Sequence, residues 1–105
     1  MTGFKNITVT ELAARLQEDG LRLIDVRTDA ETARGKIPGG DSLPLHLLPT
    51  RLSEMDKCAA TVFYCQMGGR SGQAAAFAAT HGFSDVYNLE GGMIAWTHAG
   101  LPIAR

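Results

Sequence analysis

Residues 61–81 constrain the fold more than any other part of the chain. The segment begins with TVFYC, a run of strand-forming residues, continues into the glycine-containing turn QMGGRSG, and ends in an alanine-rich stretch. A strand followed by a glycine loop and a helix is typical of a parallel sheet, because parallel strands are joined by a crossover connection that is usually a helix. We predict a buried strand that ends near Cys65 and a helix over residues 72–81.

The rest of the chain continues the alternation of helices and strands. Thr8 and Glu11 have the spacing of a capping box and predict a helix over residues 9–19. The segments LRLIDV and DVYNL predict two further buried strands, and GKIPGGDSLP predicts an ordered loop. We expect helical pieces over residues 29–34, 47–55 (with Pro49 in its first turn) and 93–100. The pattern predicts an α/β fold with a mainly parallel central sheet flanked by helices on both faces.

Composition narrows the class of protein. With 105 residues, 45% of them hydrophobic and 20% charged, the chain predicts one globular domain over residues 1–105. A net charge of −1 gives no electrostatic footprint for nucleic acid or for an anionic membrane surface. Since no stretch resembles a signal peptide or approaches the roughly 20 apolar residues of a membrane span, we expect a cytoplasmic protein.

The chain has two cysteines, Cys58 and Cys65. If the segment between them is extended, they lie up to about 23 Å apart, at roughly 3.3 Å per residue. That separation excludes a disulfide between them, and two free thiols suit a reducing compartment. Cys58 lies in the polar run DKCAA, which favours a partly exposed thiol over a resolving or regulatory one. The cysteine with chemical interest is therefore Cys65.

Cys65 follows a predicted strand and precedes a predicted helix, the position at which parallel sheets bind ligands. Backbone N–H groups of a tight loop and a helix start carry partial positive charge, which stabilises a thiolate. Gly68, Gly69 and Gly72 allow the backbone to curl tightly there. Arg70 adds a guanidinium suited to sulfate-like oxygens. We expect the pKa of Cys65 to lie below that of a free cysteine, so that a nucleophile forms without a neighbouring base.

The segment CQMGGRS resembles the active-site loop of the rhodanese family of sulfurtransferases, in which Cys is followed after two residues by Gly and then, after one more, by Arg and Ser. The resemblance extends over the whole chain. LIDVRTDAE resembles the family's Asp-x-Arg and Glu segment, GKIPGG its Gly-His-Ile-Pro-Gly-Ala signature, and LEGGMIAW its Gly-Gly-x-x-x-Trp ending. Three positions depart from the family pattern: Thr32 replaces a common aromatic residue, Lys36 a histidine, and Gly40 an alanine.

The resemblance implies a two-step sulfur transfer with Cys65 as the catalytic residue. The thiolate would take the sulfane sulfur of a small-molecule donor such as thiosulfate, and a thiol or cyanide, or alternatively a partner protein, would accept it. Family members with a cationic loop resemble thiosulfate users rather than mercaptopyruvate users. No cofactor and no metal are implied. The implied substrate-binding and persulfide-binding loop consists of Gln66, Met67, Gly68, Gly69, Arg70 and Ser71.

Three alternatives stay open beside this interpretation. A persulfide carrier for a dedicated partner protein would share every catalytic feature. A cysteine phosphatase or arsenate reductase on the same fold would resemble Cys-x5-Arg, whereas here four residues separate Cys65 from Arg70. A binding module without activity would normally lack the cysteine or the loop glycines.

Other polar and aromatic residues favour structural roles. We expect Asp25, Arg27 and Glu31 to form an ion-pair group that fixes the next loop, and Trp96 to lie in the core. The histidines are scattered singly without ligand spacing, so we expect surface or helix-end positions for His46, His81 and His98.

Overall fold

The structure is a computed structural model that describes residues 3–18 and 20–105. In this part of the chain a five-stranded sheet has the order β1-β5-β4-β2-β3, and each pair of neighbours is parallel. The predicted parallel α/β fold is confirmed. The strands are β1 Lys5–Ile7, β2 Arg22–Asp25, β3 Asp41–Ser42, β4 Thr61–Tyr64 and β5 Val86–Leu89.

Helices cover both faces of the sheet, as predicted. They are α1 Val9–Arg15, α2 Asp29–Ala33, α3 Leu48–Arg51, α4 Gly69–Thr80 and α5 Gly92–His98. Successive residues of β4 point to opposite faces. Val62 and Tyr64 pack with α1 and α5 residues, whereas Phe63 packs with α3 and α4 residues. Within the described residues, no helix is long and apolar enough to cross a membrane.

Several element boundaries differ from the sequence prediction. The two edge strands β1 and β3 were not predicted, because they are very short and mostly exposed and therefore lack an apolar pattern. The capping box of α1 is present, but the helix ends at Arg15; the predicted end, Asp19, lies outside the described residues. The predicted helix over residues 47–55 is instead a short α3 between two 3₁₀ turns, Leu45–Leu47 and Leu52–Glu54.

The difference that matters most for the site is the start of α4, which begins at Gly69 instead of residue 72. Gly68 has a φ of +113°, a left-handed conformation that turns the chain from the end of β4 straight into the helix. Glycine has a low helix propensity, and for that reason the sequence pattern placed the start later. As a result, the first turn of α4 lies directly against Cys65.

Candidate active site

The loop over residues 65–71 folds around the sulfur of Cys65. Cys65 is 1% exposed and follows the last residue of β4. The backbone N–H of Gly68 donates to Sγ at 3.0 Å, and the Ser71 hydroxyl oxygen lies 3.3 Å from it. The N–H groups of Met67 and Ser71 also face the sulfur. Several donors therefore converge on one buried atom.

These donors decide the acidity of the thiol. Burial alone raises the pKa of Cys65, but the Ser71 hydroxyl and the N–H groups of Ser71, Gly68 and Met67 lower it by more. The net direction is downward from the ordinary cysteine value. The direction agrees with the sequence-based expectation, and it comes from oriented amides rather than from a neighbouring base.

The N-terminus of α5 holds the loop with its amides turned inward. The N–H of Met93 donates to the carbonyl of Cys65 at 2.9 Å, and the N–H of Ile94 donates to that of Gln66 at 3.1 Å. A side chain at Gly92, whose φ is +55°, would place Cβ 2.7 Å from the Gln66 carbonyl oxygen. Only glycine permits this approach. The sequence analysis did not assign this role, although the Gly-Gly pair after a strand was its visible signal.

Asn88 on β5 is a second site residue that the sequence analysis missed. Its Nδ2 donates to the Gly68 carbonyl at 3.2 Å, and its Oδ1 lies 2.5 Å from Ser71 Oγ. The side chain is 9% exposed. Asparagine is depleted in strands, so its place within the buried DVYNL run was a usable signal.

Arg70 lies beside Glu31 from α2. Its two terminal nitrogens donate to the two carboxylate oxygens at 2.7 and 2.9 Å. The Arg70 guanidinium holds the pKa of Glu31 at about 2, below the ordinary 4.5. Glu31 was expected to join the Asp25 and Arg27 group, and this grouping is wrong. The negative charge of Glu31 therefore balances the positive charge of Arg70 beside the loop.

Asp25 and Arg27 form the buried ion pair that was expected to fix the next loop. Arg27 Nη2 lies 2.8 Å from Asp25 Oδ2 and also donates to the Gly35 carbonyl at 2.8 Å. The Thr32 hydroxyl donates to the same carboxylate at 3.0 Å. Arg27 Nη1 reaches Gln66 Oε1 at 3.4 Å. This network joins the loop after β2 to the reactive loop, and Thr32, which stands where the family commonly has an aromatic residue, contributes one of its hydrogen bonds.

The other loop residues differ in exposure. Met67 is 72% exposed, and Gly69 is the first residue of α4.

A cavity of about 360 Å³ opens beside Gln66. Its charged lining residues are Arg27, Glu31, Arg34 and Arg105.

The remaining candidates lie away from Cys65. Cys58 is exposed and both cysteines are free. His46, His81 and His98 do not cluster, and no group of three potential metal ligands occurs among residues 3–18 and 20–105. Trp96 is 1% exposed, and its Nε1 donates to the Pro102 carbonyl at 2.7 Å, as expected for a core residue.

The known proteins that this chain is similar to include rhodanese-like proteins and sulfurtransferases. A family model described as Rhodanese-like domain matches residues 8–99. A protein named Sulfurtransferase from Allochromatium vinosum is 47% identical over 93 residues, which cover 88% of this chain and 87% of the relative. Thiosulfate sulfurtransferase GlpE from Pseudomonas fluorescens is 40% identical over 96 residues, 91% of this chain and 87% of that protein. The crystal structure of a rhodanese-like domain protein from Staphylococcus aureus has a TM-score of 0.84 and 36% identity, with 97% of this chain and 100% of that chain covered.

Proposed function

The chain belongs to the rhodanese-like domain family, and from this premise we propose that it is a sulfurtransferase that carries sulfur as a persulfide on Cys65. The preferred donor in this proposal is thiosulfate, and the acceptor is a thiol or cyanide. The observation that carries the proposal is the convergence of the Gly68 amide and the Ser71 hydroxyl on a buried sulfur whose pKa is lowered.

In the first step the Cys65 thiolate attacks the sulfane sulfur of thiosulfate. A sulfur–sulfur bond forms to Sγ while the bond within thiosulfate breaks, and its electron pair leaves with sulfite. The terminal persulfide sulfur then carries the negative charge. The inward-facing amides of the loop are oriented to stabilise an anion at this position.

In the second step a nucleophilic acceptor attacks the terminal sulfur, and Cys65 leaves as a thiolate. Splitting one transfer into two displacements is covalent catalysis. The same donors that lower the pKa of Cys65 also make it a better leaving group, because they stabilise the thiolate that departs. One set of amides therefore supports both steps.

Two features support an anionic donor. A relative 40% identical to this chain is named a thiosulfate sulfurtransferase. The cavity beside Gln66 is lined by Arg34 and Arg105 in addition to Arg27, which pairs with Asp25, and Glu31, which pairs with Arg70, so its lining carries more positive than negative charge. A dianion such as thiosulfate is attracted to such a lining.

The donor preference is tested by steady-state sulfite release in Arg70→Gln, Glu31→Gln and the double variant. If Arg70 contacts the departing sulfite oxygens, Arg70→Gln lowers turnover with thiosulfate by about one to two orders of magnitude, from a contact of roughly 1.5 to 3 kcal/mol. Glu31→Gln should then cost much less, because it leaves the guanidinium in place. Mercaptopyruvate is assayed in parallel as the alternative donor.

Equal losses in the two single variants would assign Arg70 to the shape of the loop rather than to the donor. The same conclusion follows if mercaptopyruvate is the better donor for the parent protein. In either case thiosulfate is withdrawn as the preferred donor. Loss of transfer from every donor in Cys65→Ser is the separate requirement of the persulfide mechanism.

A persulfide carrier for a partner protein is the second candidate, and one observation favours it. Met67 is 72% exposed within the reactive loop, and it borders a shallow apolar groove with Ile94, Ala95 and Ala99. Exposed apolar surface of this kind suits contact with a protein acceptor. Ile94→Gln separates the two functions, since it makes the groove polar without adding charge beside the sulfur and should weaken transfer to a protein thiol while leaving transfer to cyanide nearly unchanged.

A further inference from the structure

The orientation of the Asn88 amide is fixed by two neighbours. Its Nδ2 donates to the Gly68 carbonyl at 3.2 Å, so its Oδ1 must face Ser71 Oγ, 2.5 Å away. The reversed amide would place Oδ1 against a carbonyl oxygen, and two acceptors repel. Within residues 3–18 and 20–105, Ser71 is the one donor to Asn88 Oδ1. Asn88 therefore requires the hydrogen of the Ser71 hydroxyl.

The Cys65 sulfur lies on the other side of the same hydroxyl, 3.3 Å from Ser71 Oγ. When Cys65 is a thiol, both acceptors are satisfied: the S–H can donate to Ser71 Oγ, and the Ser71 O–H donates to Asn88. When Cys65 ionises, one hydrogen is lost from this chain. The thiolate and Asn88 Oδ1 then compete for the single hydrogen of Ser71.

A persulfide on Cys65 removes the competition. The negative charge then resides mainly on the terminal sulfur, which the loop amides face, and Sγ becomes a weak acceptor. The Ser71 hydroxyl can donate to Asn88 without opposition. The free thiolate is thus the state with an unsatisfied acceptor, and the loaded protein is the state without one.

We propose that Asn88 is a positioning residue that competes with the Cys65 sulfur for the Ser71 hydrogen and thereby favours the persulfide over the free thiolate. The inference rests on the proposed function and deepens it. In the first transfer, Cys65 thiolate and thiosulfate give the persulfide and sulfite, and the Ser71 hydrogen turns from Sγ to Asn88 Oδ1. In the second transfer it turns back.

The variants that test this proposal leave the charged groups around Cys65 unchanged, except for Asn88→Asp, which adds a carboxylate. The charged or titratable groups that the structure places against the loop are the Arg70 and Glu31 pair, the Asp25 and Arg27 pair, Arg34 and Arg105 in the cavity beside Gln66, and His98 in the groove beside Met67.

The experiment measures the rate of Cys65 alkylation against pH in Asn88→Ala, Ser71→Ala and the double variant, in a Cys58→Ser background. Ser71→Ala removes a donor from the thiolate, so the midpoint rises. Asn88→Ala removes the competitor, so the midpoint falls. We expect the acid dissociation constant of Cys65 to rise about threefold. Asn88→Ala should have no effect once Ser71 is absent. Asn6→Ala is the matched control, since Asn6 pairs with Asn88 across the sheet and is exposed.

The sign separates this role from simple support of the loop. Loss of support would scatter the donors and raise the midpoint, as in Ser71→Ala. A raised or unchanged midpoint in Asn88→Ala overturns the proposal, and so does a lowered midpoint that persists without Ser71. Asn88→Asp provides a second variant with the opposite expectation: its carboxylate competes more strongly and adds negative charge, so the midpoint must rise.

A second readout concerns the persulfide directly. At a fixed ratio of thiosulfate to sulfite and a pH above both midpoints, the ratio of loaded to unloaded protein measured by intact-protein mass spectrometry should fall about threefold in Asn88→Ala, matching the change in acidity. An unchanged loaded fraction contradicts the proposal. Failure of the parent protein to load sulfur at all would instead contradict the proposed function, and the alkylation midpoints would still test the competition at Ser71.

Discussion

Cys58 and Cys65 lie near opposite ends of the same strand, and their surroundings differ in every respect that matters for chemistry. Cys58 precedes β4 and is exposed, whereas Cys65 follows β4 directly and is 1% exposed. The backbone N–H of Cys58 donates to Asp56 Oδ1 at 2.9 Å, which shapes a turn. The comparison shows that the direction of the strand decides which cysteine lies among backbone donors, and the proposed function makes that cysteine the nucleophile.

The physical reason lies in the parallel sheet. At the carboxyl end of β4 the chain turns into the N-terminus of α4, whose unpaired N–H groups point back towards the strand end. Next to it, the N–H groups of Met93 and Ile94 in α5 donate to the loop carbonyls of Cys65 and Gln66. At the amino end of the strand no helix begins, since residues 56–60 form a turn at residues 57 and 58 and are otherwise irregular. Only the carboxyl end concentrates donors around a sulfur.

Replacing each cysteine by serine in turn gives the largest expected difference between the two ends of β4. Cys65→Ser should abolish sulfur transfer, because a hydroxyl in this position neither ionises at neutral pH nor forms a persulfide. Cys58→Ser should retain nearly all activity, because Cys58 is exposed and far from the loop. Sulfite release with thiosulfate and cyanide measures both. A comparable loss in the two variants would break the distinction between the two ends of β4.

Gly68 and Gly82 sharpen the comparison, since both have a positive φ at the two ends of α4, +113° and +96°. Alanine at either position should cost about 1 to 2 kcal/mol of unfolding free energy. Gly68→Ala should also lower turnover by about one to two orders of magnitude, because the strained backbone relaxes away from its left-handed φ and turns the N–H away from the Cys65 sulfur, and such bonds to charged groups contribute roughly 1.5 to 3 kcal/mol. Gly82→Ala should keep parental turnover.

Thermal or denaturant unfolding and steady-state kinetics on the same two variants provide the measurement. At Gly82 an added Cβ meets the flexible Lys57 side chain at 3.5 Å, so the substitution reports backbone strain alone. If Gly82→Ala lost as much activity as Gly68→Ala, general destabilisation and not the sulfur contact would explain the loss.

Glu31 gives the smallest expected effect, and it concerns stability. Its pKa is about 2 in the folded protein and 4.5 ordinarily, so its pairing with Arg70 stabilises the fold above about pH 4.5. That contribution is lost as pH falls from 4.5 towards 2. Because the two side chains are 29% and 37% exposed, solvent screening keeps it below about 1 kcal/mol.

Urea unfolding at a series of pH values should show a weaker acid-side loss of stability in Glu31→Gln than in the parent. Glu54→Gln, an acidic residue in the turn after α3, is the control. A parental pH dependence in Glu31→Gln would mean that the pair with Arg70 contributes nothing to folding.

The sequence predicted the elements whose side-chain pattern is strong. The strand before Cys65 has four buried residues in succession, and the Thr8 and Glu11 pair marks a helix start, so both could be read directly. The same holds for the loop itself, since its glycines and its place between strand and helix follow from local order. These features depend on neighbours along the chain.

The sequence could not predict contacts between segments that lie far apart along the chain. The partner of Arg70 is Glu31, 39 residues away, and the partner of Ser71 is Asn88, 17 residues away. Neither pair has a local signature, because both form only when neighbouring strands bring their loops together. The start of α4 was misplaced for a different reason: glycine propensity argued against helix, and the packing of the loop around a sulfur overrode it.

The most direct test of the central claim is intact-protein mass spectrometry after exposure to thiosulfate, followed by peptide mapping of the adduct. We predict a gain of one sulfur atom in the parent and in Cys58→Ser, located on Cys65 and released by cyanide as thiocyanate, and no gain in Cys65→Ser. Sulfur found on Cys58, or retained by Cys65→Ser, would contradict it.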